Sequence, residues 1–283
     1  MKLFLAFSFV LILFFPPLAV YANTQLASET PPQIKPDIKE GFNYDTALKI
    51  SQGVIGKQLG EYSFINAEGQ PVSMSDFAGK PLVLSMVYTS CYKICPMTTR
   101  HLAKVVEKAR DALGKDNFSV AVVGFDTPVD TPDAMQYFAN KQGIHNKGWH
   151  LLTIAADEVE SLLKDTGFIY FPSASGFDHL IQATIIDADG KVYRQVYGQV
   201  FDTPLLIEPL KELILGQPKQ NQTFLSDLTN KIKLFCTTYD PVRDGYYFDY
   251  SLFLGILIGA MIILFTAVFI VKEWRKTSQH LDT

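Results

Sequence analysis

The sequence is poor in several features that would otherwise point to a function. It has no surplus of positive charge: 25 Lys and Arg against 29 Asp and Glu leave a net charge of −4. No basic stripe with interleaved aromatics runs through it either, which argues against a nucleic-acid partner. Cysteine is scarce, with three residues (Cys91, Cys95, Cys236), and histidine comes to only five, so each of these side chains needs its own account. Charge is missing altogether from residues 251–271. That stretch meets the roughly 20 apolar residues a bilayer-crossing helix needs.

Two of the three thiols sit close together, where one kind of local structure hands over to another. Leu82–Val87 is a short apolar run that reads as a buried strand. After it, Leu102, Val105, Val106, Ala109 and Leu113 recur at three- and four-residue steps, with Gly114 placed as a C-cap. Pro96 suits the first turn of such a helix, where its missing N–H costs nothing. Cys95 therefore lies at or just before a helix N-terminus, with Cys91 about one turn upstream. The helix dipole and Lys93 both favour thiolate there, the form that binds soft metals and attacks disulfides. Redox thioredoxins use Cys-x-x-Cys, whereas three residues intervene here, which leaves two sulfurs room to grip one ion and calls for a third ligand.

The rest of the chain reads in order around this loop. The length, 283 residues, allows one or two domains, and a 48% hydrophobic content suffices for a core plus membrane segments. Residues 1–22 carry Lys2, an apolar run broken by Pro16-Pro17, and Val20-Tyr21-Ala22, and are expected to be a cleaved signal peptide. Residues 23–43, with Pro31, Pro32 and Pro36, read as a linker. A hairpin is expected around Glu68-Gly69, a second buried strand over 118–125, and a helix capped by Thr131-Pro132 that stops at Gly143. Then come a strand over 151–154, a helix over 157–164, a hairpin turning at Asp187-Ala188-Asp189-Gly190 and opened by His179, and a last helix from Thr203-Pro204 to Gly216. This alternation predicts an α/β fold with a mostly parallel sheet covered on both faces, in the order of a thioredoxin-like domain over residues 44–216. Residues 217–250 form a membrane-proximal segment, 251–271 a transmembrane helix and 272–283 a tail. Lys272, Arg275 and Lys276 follow the span while Asp240, Asp244 and Asp249 precede it, which predicts a cytoplasmic C-terminus and a globular domain outside.

In an exported protein a close cysteine pair is most often a disulfide. Closing so short a loop constrains the unfolded chain very little, however, because the stabilisation grows with loop length. Redox work or metal binding remain. A peroxidase of the peroxiredoxin kind would want threonine three residues before the attacking cysteine, where this chain has Tyr88.

Tyr88-Thr89-Ser90-Cys91 through Cys95-Pro96, Val123-Gly124-Phe125-Asp126 with Asp130-Thr131-Pro132, and Asp178-His179 before a strand ending in Asp187-Ala188-Asp189-Gly190-Lys191 resemble the Sco/SenC family. The resemblance covers about residues 44–216. It implies a membrane-tethered, thioredoxin-like copper protein that serves assembly of the binuclear copper site in cytochrome c oxidase subunit II. By the same resemblance the copper ligands fall on Cys91, Cys95 and His179, with Asp126 a secondary candidate for docking or metal transfer. Other copper chaperones are implied as further partners, and the bacterial inner membrane as the location, with the domain on the periplasmic or extracytoplasmic side. Two thiolates and an imidazole suit Cu(I) and can also hold Cu(II).

The alternative is a thiol-disulfide oxidoreductase that reduces the client's copper-binding cysteines with the same pair. His101, about one and a half turns beyond Cys95, is the runner-up third ligand. His145, His150 and His280 are given ordinary structural roles, as is Met97, and Cys236 is read as an unpaired membrane-proximal thiol. Tyr92 departs from the proline that many relatives place after the first cysteine, which bears on the rigidity of the loop.

Overall fold

The computed structural model describes residues 41–144, 148–174, 176–216 and 237–279. The expected signal peptide, all but the end of the expected linker, His145, Cys236 and His280 lie outside the described residues.

Local sequence signals account for most of the elements. The apolar runs become β3 (Leu82–Val87) and β4 (Ser119–Gly124), every residue of which is buried. The helical periodicity becomes α2 (Ile94–Leu113), whose Leu102, Val105, Val106, Ala109 and Leu113 are at most 2% exposed. Thr131 caps α3 (Pro132–Gln142) by accepting from the Ala134 N–H, and Gly143 ends it in the left-handed conformation. β1 (Ser63–Asn66) and β2 (Pro71–Ser73) form the expected hairpin. β5 (Trp149–Ile154), α4 (Val159–Asp165), β8 (Gln182–Ile186), β9 (Val192–Tyr197) and α5 (Pro204–Gly216) follow where their patterns place them.

The sheet is mixed, which corrects the expectation of a mostly parallel one. Its seven strands run in the order β2-β1-β5-β4-β3-β8-β9. Only β3 with β4 and β4 with β5 pair parallel, and the other four pairings are antiparallel. β3, β4 and β5 are joined by helical crossovers, which give room to return in the same direction, whereas short turns set β1 against β2 and β8 against β9. Alternate residues feed two cores: Leu82, Leu84 and Met86 join Phe64, Val122 and Leu152 on one side, and Val83 joins Leu102, Val106, Ile185, Leu206 and Leu210 on the other.

One helix and two hairpins carry no strong sequence signal. α1 (Tyr44–Gln52) packs Ala47 and Ser51 into the fold. β6 (Tyr170–Ser173) and β7 (Gly176–His179) form a separate two-stranded hairpin, so His179 ends β7 and precedes β8 by three residues. β10 (Thr237–Asp240) and β11 (Gly245–Phe248) form another. The last hairpin is held against α2 and α5: Lys108 pairs with Asp244, Lys211 Nζ donates to Thr237 O at 2.6 Å, and Tyr246 Oη donates to Glu208 Oε1 at 2.7 Å. Three residues later α6 (Ser251–Gln279) begins. Its Phe253–Lys272 segment, 20 residues of mean hydropathy 2.9 and not buried against the rest of the chain, is long and apolar enough to cross a membrane.

Candidate metal and thiol site

A turn closed by the Cys91 N–H on Tyr88 O (3.1 Å) brings the chain out of β3, and α2 starts three residues later. Lys93, the residue before the helix, gives it no side-chain cap. Cys91 takes that part instead: the Cys95 N–H donates to Cys91 Sγ at 3.3 Å, filling one of the orphan donors of a helix start. The loop is anchored from beneath by Asp130, a carboxylate only 1% exposed. Asp130 accepts from Thr89 N and Thr89 Oγ1, both at 2.7 Å, and from Asp126 N at 2.9 Å. Gly124 makes this possible, because a Cβ there would stand 2.5 Å from Asp130 Cβ.

The two thiols are chemically unlike. Cys91 is held at about 4, chiefly because the Cys95 S–H donates to its sulfur, with the Cys95 N–H, the Tyr88 hydroxyl and the Lys93 N–H adding to the effect against burial. Cys95 is pushed upward, first by that same donation and then by burial. The pair is therefore one thiolate and one thiol, both reduced and both buried.

His179 faces the same place from the β6–β7 hairpin. Its ring lies 6.2 Å from the Tyr88 ring and 4.9 Å from that of Phe168. Its Nδ1 stands 2.7 Å from Leu180 O. A carbonyl can only accept, so Nδ1 carries the proton and Nε2 keeps its lone pair, as a ligating histidine requires. Burial also lowers its pKa, opposed by the Leu180 carbonyl and the Cys91 charge, so the imidazole is neutral near pH 7. His179 and Cys95 line one small cavity with Ser85, Met86, Ile94, Thr98, Thr99 and Gln182. Among the described residues no three His, Cys, Asp or Glu side chains converge closely enough to hold an ion. The donor set nevertheless fits a soft metal: one thiolate, one thiol able to lose its proton, and an imidazole with a free lone pair.

The other candidates fall elsewhere. His101 Nε2 lies 2.8 Å from Phe201 O and 3.1 Å from Phe201 N, so it is occupied by the loop before α5. Asp126 is half-buried beside Asp130 and serves the loop through its backbone. Met97 is 39% exposed with its sulfur 3.3 Å from Gln199 Nε2, and Tyr92 is 97% exposed. Tyr88 and Asp130 stand inside the motifs that mark the loop, but the sequence alone does not single them out as site residues.

Against known proteins, the model of the family described as SCO1/SenC matches residues 55–215. The chain belongs to the SCO1/SenC family. A SCO1 protein homolog of Bacillus subtilis is 26% identical over 149 residues, covering 50% of this chain and 75% of that protein. The crystal structure of a SCO1/SenC family lipoprotein from Bacillus anthracis aligns at 25% identity and a TM-score of 0.51, covering 56% of this chain and 95% of the other. BsSco, a member of the Sco family of cytochrome c oxidase assembly proteins with a disulfide switch, shares the fold at 23% identity and a TM-score of 0.50, covering 56% and 95%. This SCO1/SenC chain thus has Cys91, Cys95, their anchored loop and the histidine hairpin all within the family-matched segment.

Proposed function

We propose that the protein is a membrane-anchored, extracytoplasmic copper metallochaperone that delivers copper to subunit II of cytochrome c oxidase. The observation that carries this reading is the convergence on one cavity wall of a thiol and of an imidazole whose Nε2 is free, with a thiolate bonded to that thiol. Copper is the cargo here. Cys91 offers an anionic donor, Cys95 gives up its proton as the ion arrives, and His179 supplies the third ligand from the hairpin, so one proton leaves per Cu(I) at neutral pH. Handing the ion on is ligand exchange with the client's donors, and the half-buried His179 is the side of the site from which a client can enter. α6 anchors the protein, and the basic residues that follow it favour a cytoplasmic C-terminus. Tethering raises the effective concentration near a membrane-bound client.

The test is titration of the reduced full chain with Cu(I) against a competing chelator. One ion per chain is expected. His179→Ala should lose at least the roughly 10- to 100-fold in affinity that removing a supporting partner costs a metal site. Unchanged affinity in that variant would overturn the three-ligand site.

The asymmetry of the thiols favours a second reading, reduction of a client disulfide. The Cys91 thiolate attacks one client sulfur and releases the other, and Cys95, giving up its proton, then attacks Cys91 Sγ. A Cys91–Cys95 disulfide results, with one client thiol, protonated from Cys95, and one client thiolate that takes its proton from solvent. This chemistry should survive His179→Ala, whereas copper affinity should fall.

A further inference from the structure

The contacts that hold the β10–β11 hairpin follow one another in a fixed order along α2 and α5. At the open end of the hairpin Thr237, opposite Phe248, accepts from Lys211 Nζ at 2.6 Å. Further along, Tyr246 reaches Glu208 at 2.7 Å, and Asp244 at the turn meets Lys108 of α2. Beyond that turn α2 touches the segment just before α5: His101 Nε2 lies 2.8 Å from Phe201 O, and Met97 Sδ lies 3.3 Å from Gln199 Nε2. α2 and α5 therefore run side by side in the same direction, and the open end of the hairpin points toward the end of α5. Cys91 and Cys95 stand at the opposite end, beyond Met97 and His101.

The span leaves from the open end of the hairpin. The Ser251 N–H donates to Asp249 Oδ1 at 2.8 Å and the Leu254 N–H to Tyr250 O at 3.0 Å, so α6 makes its first turn directly off β11 with little slack between them. Tyr247 and Tyr250, 50% and 71% exposed, flank that junction, as aromatic side chains do at a bilayer surface.

We propose that the docked hairpin is a strut: it holds the thiol end of α2 away from the bilayer and fits the protein to a partner whose own receiving site stands well clear of the membrane. The stretch of β11 from Asp244 to Phe248 supplies about 13 Å and the stretch of α2 from Cys95 to Lys108 about 20 Å, which puts the thiols roughly 30 Å from the start of the span. The inference rests on the anchoring part of the function proposed above and uses neither copper nor thiol exchange.

The experiment uses the full metal-free chain carrying Cys236→Ser, so that a donor dye goes to the thiol loop, in phosphatidylcholine nanodiscs whose headgroups bear an acceptor. Energy transfer should place the dye roughly 30 Å from the headgroup plane. Tyr246→Ala, which undocks the hairpin, should shorten and broaden that distance. A dye at half the expected distance or less overturns the strut, and so does a distance that Tyr246→Ala leaves unmoved. Alkaline extraction from vesicles of the same lipid tests the span by itself. Release of the chain overturns the anchoring and the strut with it, whereas a retained chain with a close-lying dye overturns the strut alone.

Discussion

At the scale of single residues, one hydrogen-bonded sulfur pair separates the roles of the two thiols. Cys91, held at about 4, is ionised throughout the neutral range, while Cys95 keeps its proton. Mapped alkylation of the reduced protein should therefore label Cys91 first, at a rate that has levelled off by about pH 6 and does not climb through the ordinary thiol range near 8.5. A rate that rises through that range would mean the donation from Cys95 is absent in solution. The same shift bears on stability with a definite sign. A folded value below the unfolded one stabilises above the unfolded pKa and is lost as pH falls through the folded one, so the contribution of Cys91 fades between about 8.5 and 4. The upward shift of Cys95 works against it in alkali. Asp130 illustrates a different residue-scale constraint. Burial raises its pKa against three hydrogen bonds that favour the carboxylate, and Asp130→Ala would strand the Thr89 amide, the Thr89 hydroxyl and the Asp126 amide. A loss of roughly 3 kcal/mol in urea unfolding is expected, as unpaired buried donors cost.

At the scale of elements, the site is a meeting of a helix start with a hairpin outside the main sheet. The turn before α2 supplies the Cys91 sulfur and the first turn of the helix that of Cys95, and the body of the helix is packed in the core, which keeps their backbone still. β6–β7 supplies the histidine from a two-stranded unit that pairs with no other strand among the described residues. Between them, Gly124 at the end of β4 lets Asp130 reach the cysteine loop. Gly124→Ala would place a methyl 2.5 Å from Asp130 Cβ and 3.0 Å from its Oδ2. Both elements must then shift, costing about 1–3 kcal/mol in unfolding experiments and slowing copper uptake measured by stopped flow.

At the scale of the whole molecule, the connection to the apolar helix is a docked hairpin. An ion pair on the surface, such as Lys108 with the largely exposed Asp244, contributes only about 0–1 kcal/mol. Tyr246 counts for more, because its ring packs on the α2–α5 core while its hydroxyl reaches Glu208. Tyr246→Ala in the full chain should expose residues 237–248 to fast hydrogen exchange, whereas Lys108→Ala should leave them protected. The reverse order would mean that charge, not packing, holds the hairpin. Neither change should move the alkylation profile of Cys91, since Lys108 lies about 21 Å along α2 from the helix start that Cys91 precedes, at 1.5 Å per residue.

What the amino-acid order determined by itself is whatever depends on neighbours within about one helical turn. That includes the buried strands, the Thr131 cap, the Gly143 stop, the placing of Cys95 at a helix start and the charge-free span. Strand direction was beyond it, because the mixed sheet arises from which strands become neighbours and not from their own patterns. The structure alone decided which thiol is charged, that Asp130 anchors the loop, and that His101 is taken by Phe201 while His179 keeps a free nitrogen. The Asp130 anchor and the capture of His101 rest on hydrogen bonds between residues 41 and 100 positions apart, and the burial that separates the thiols and His179 from solvent comes from other elements. Proximity of that kind exists only once the chain has folded.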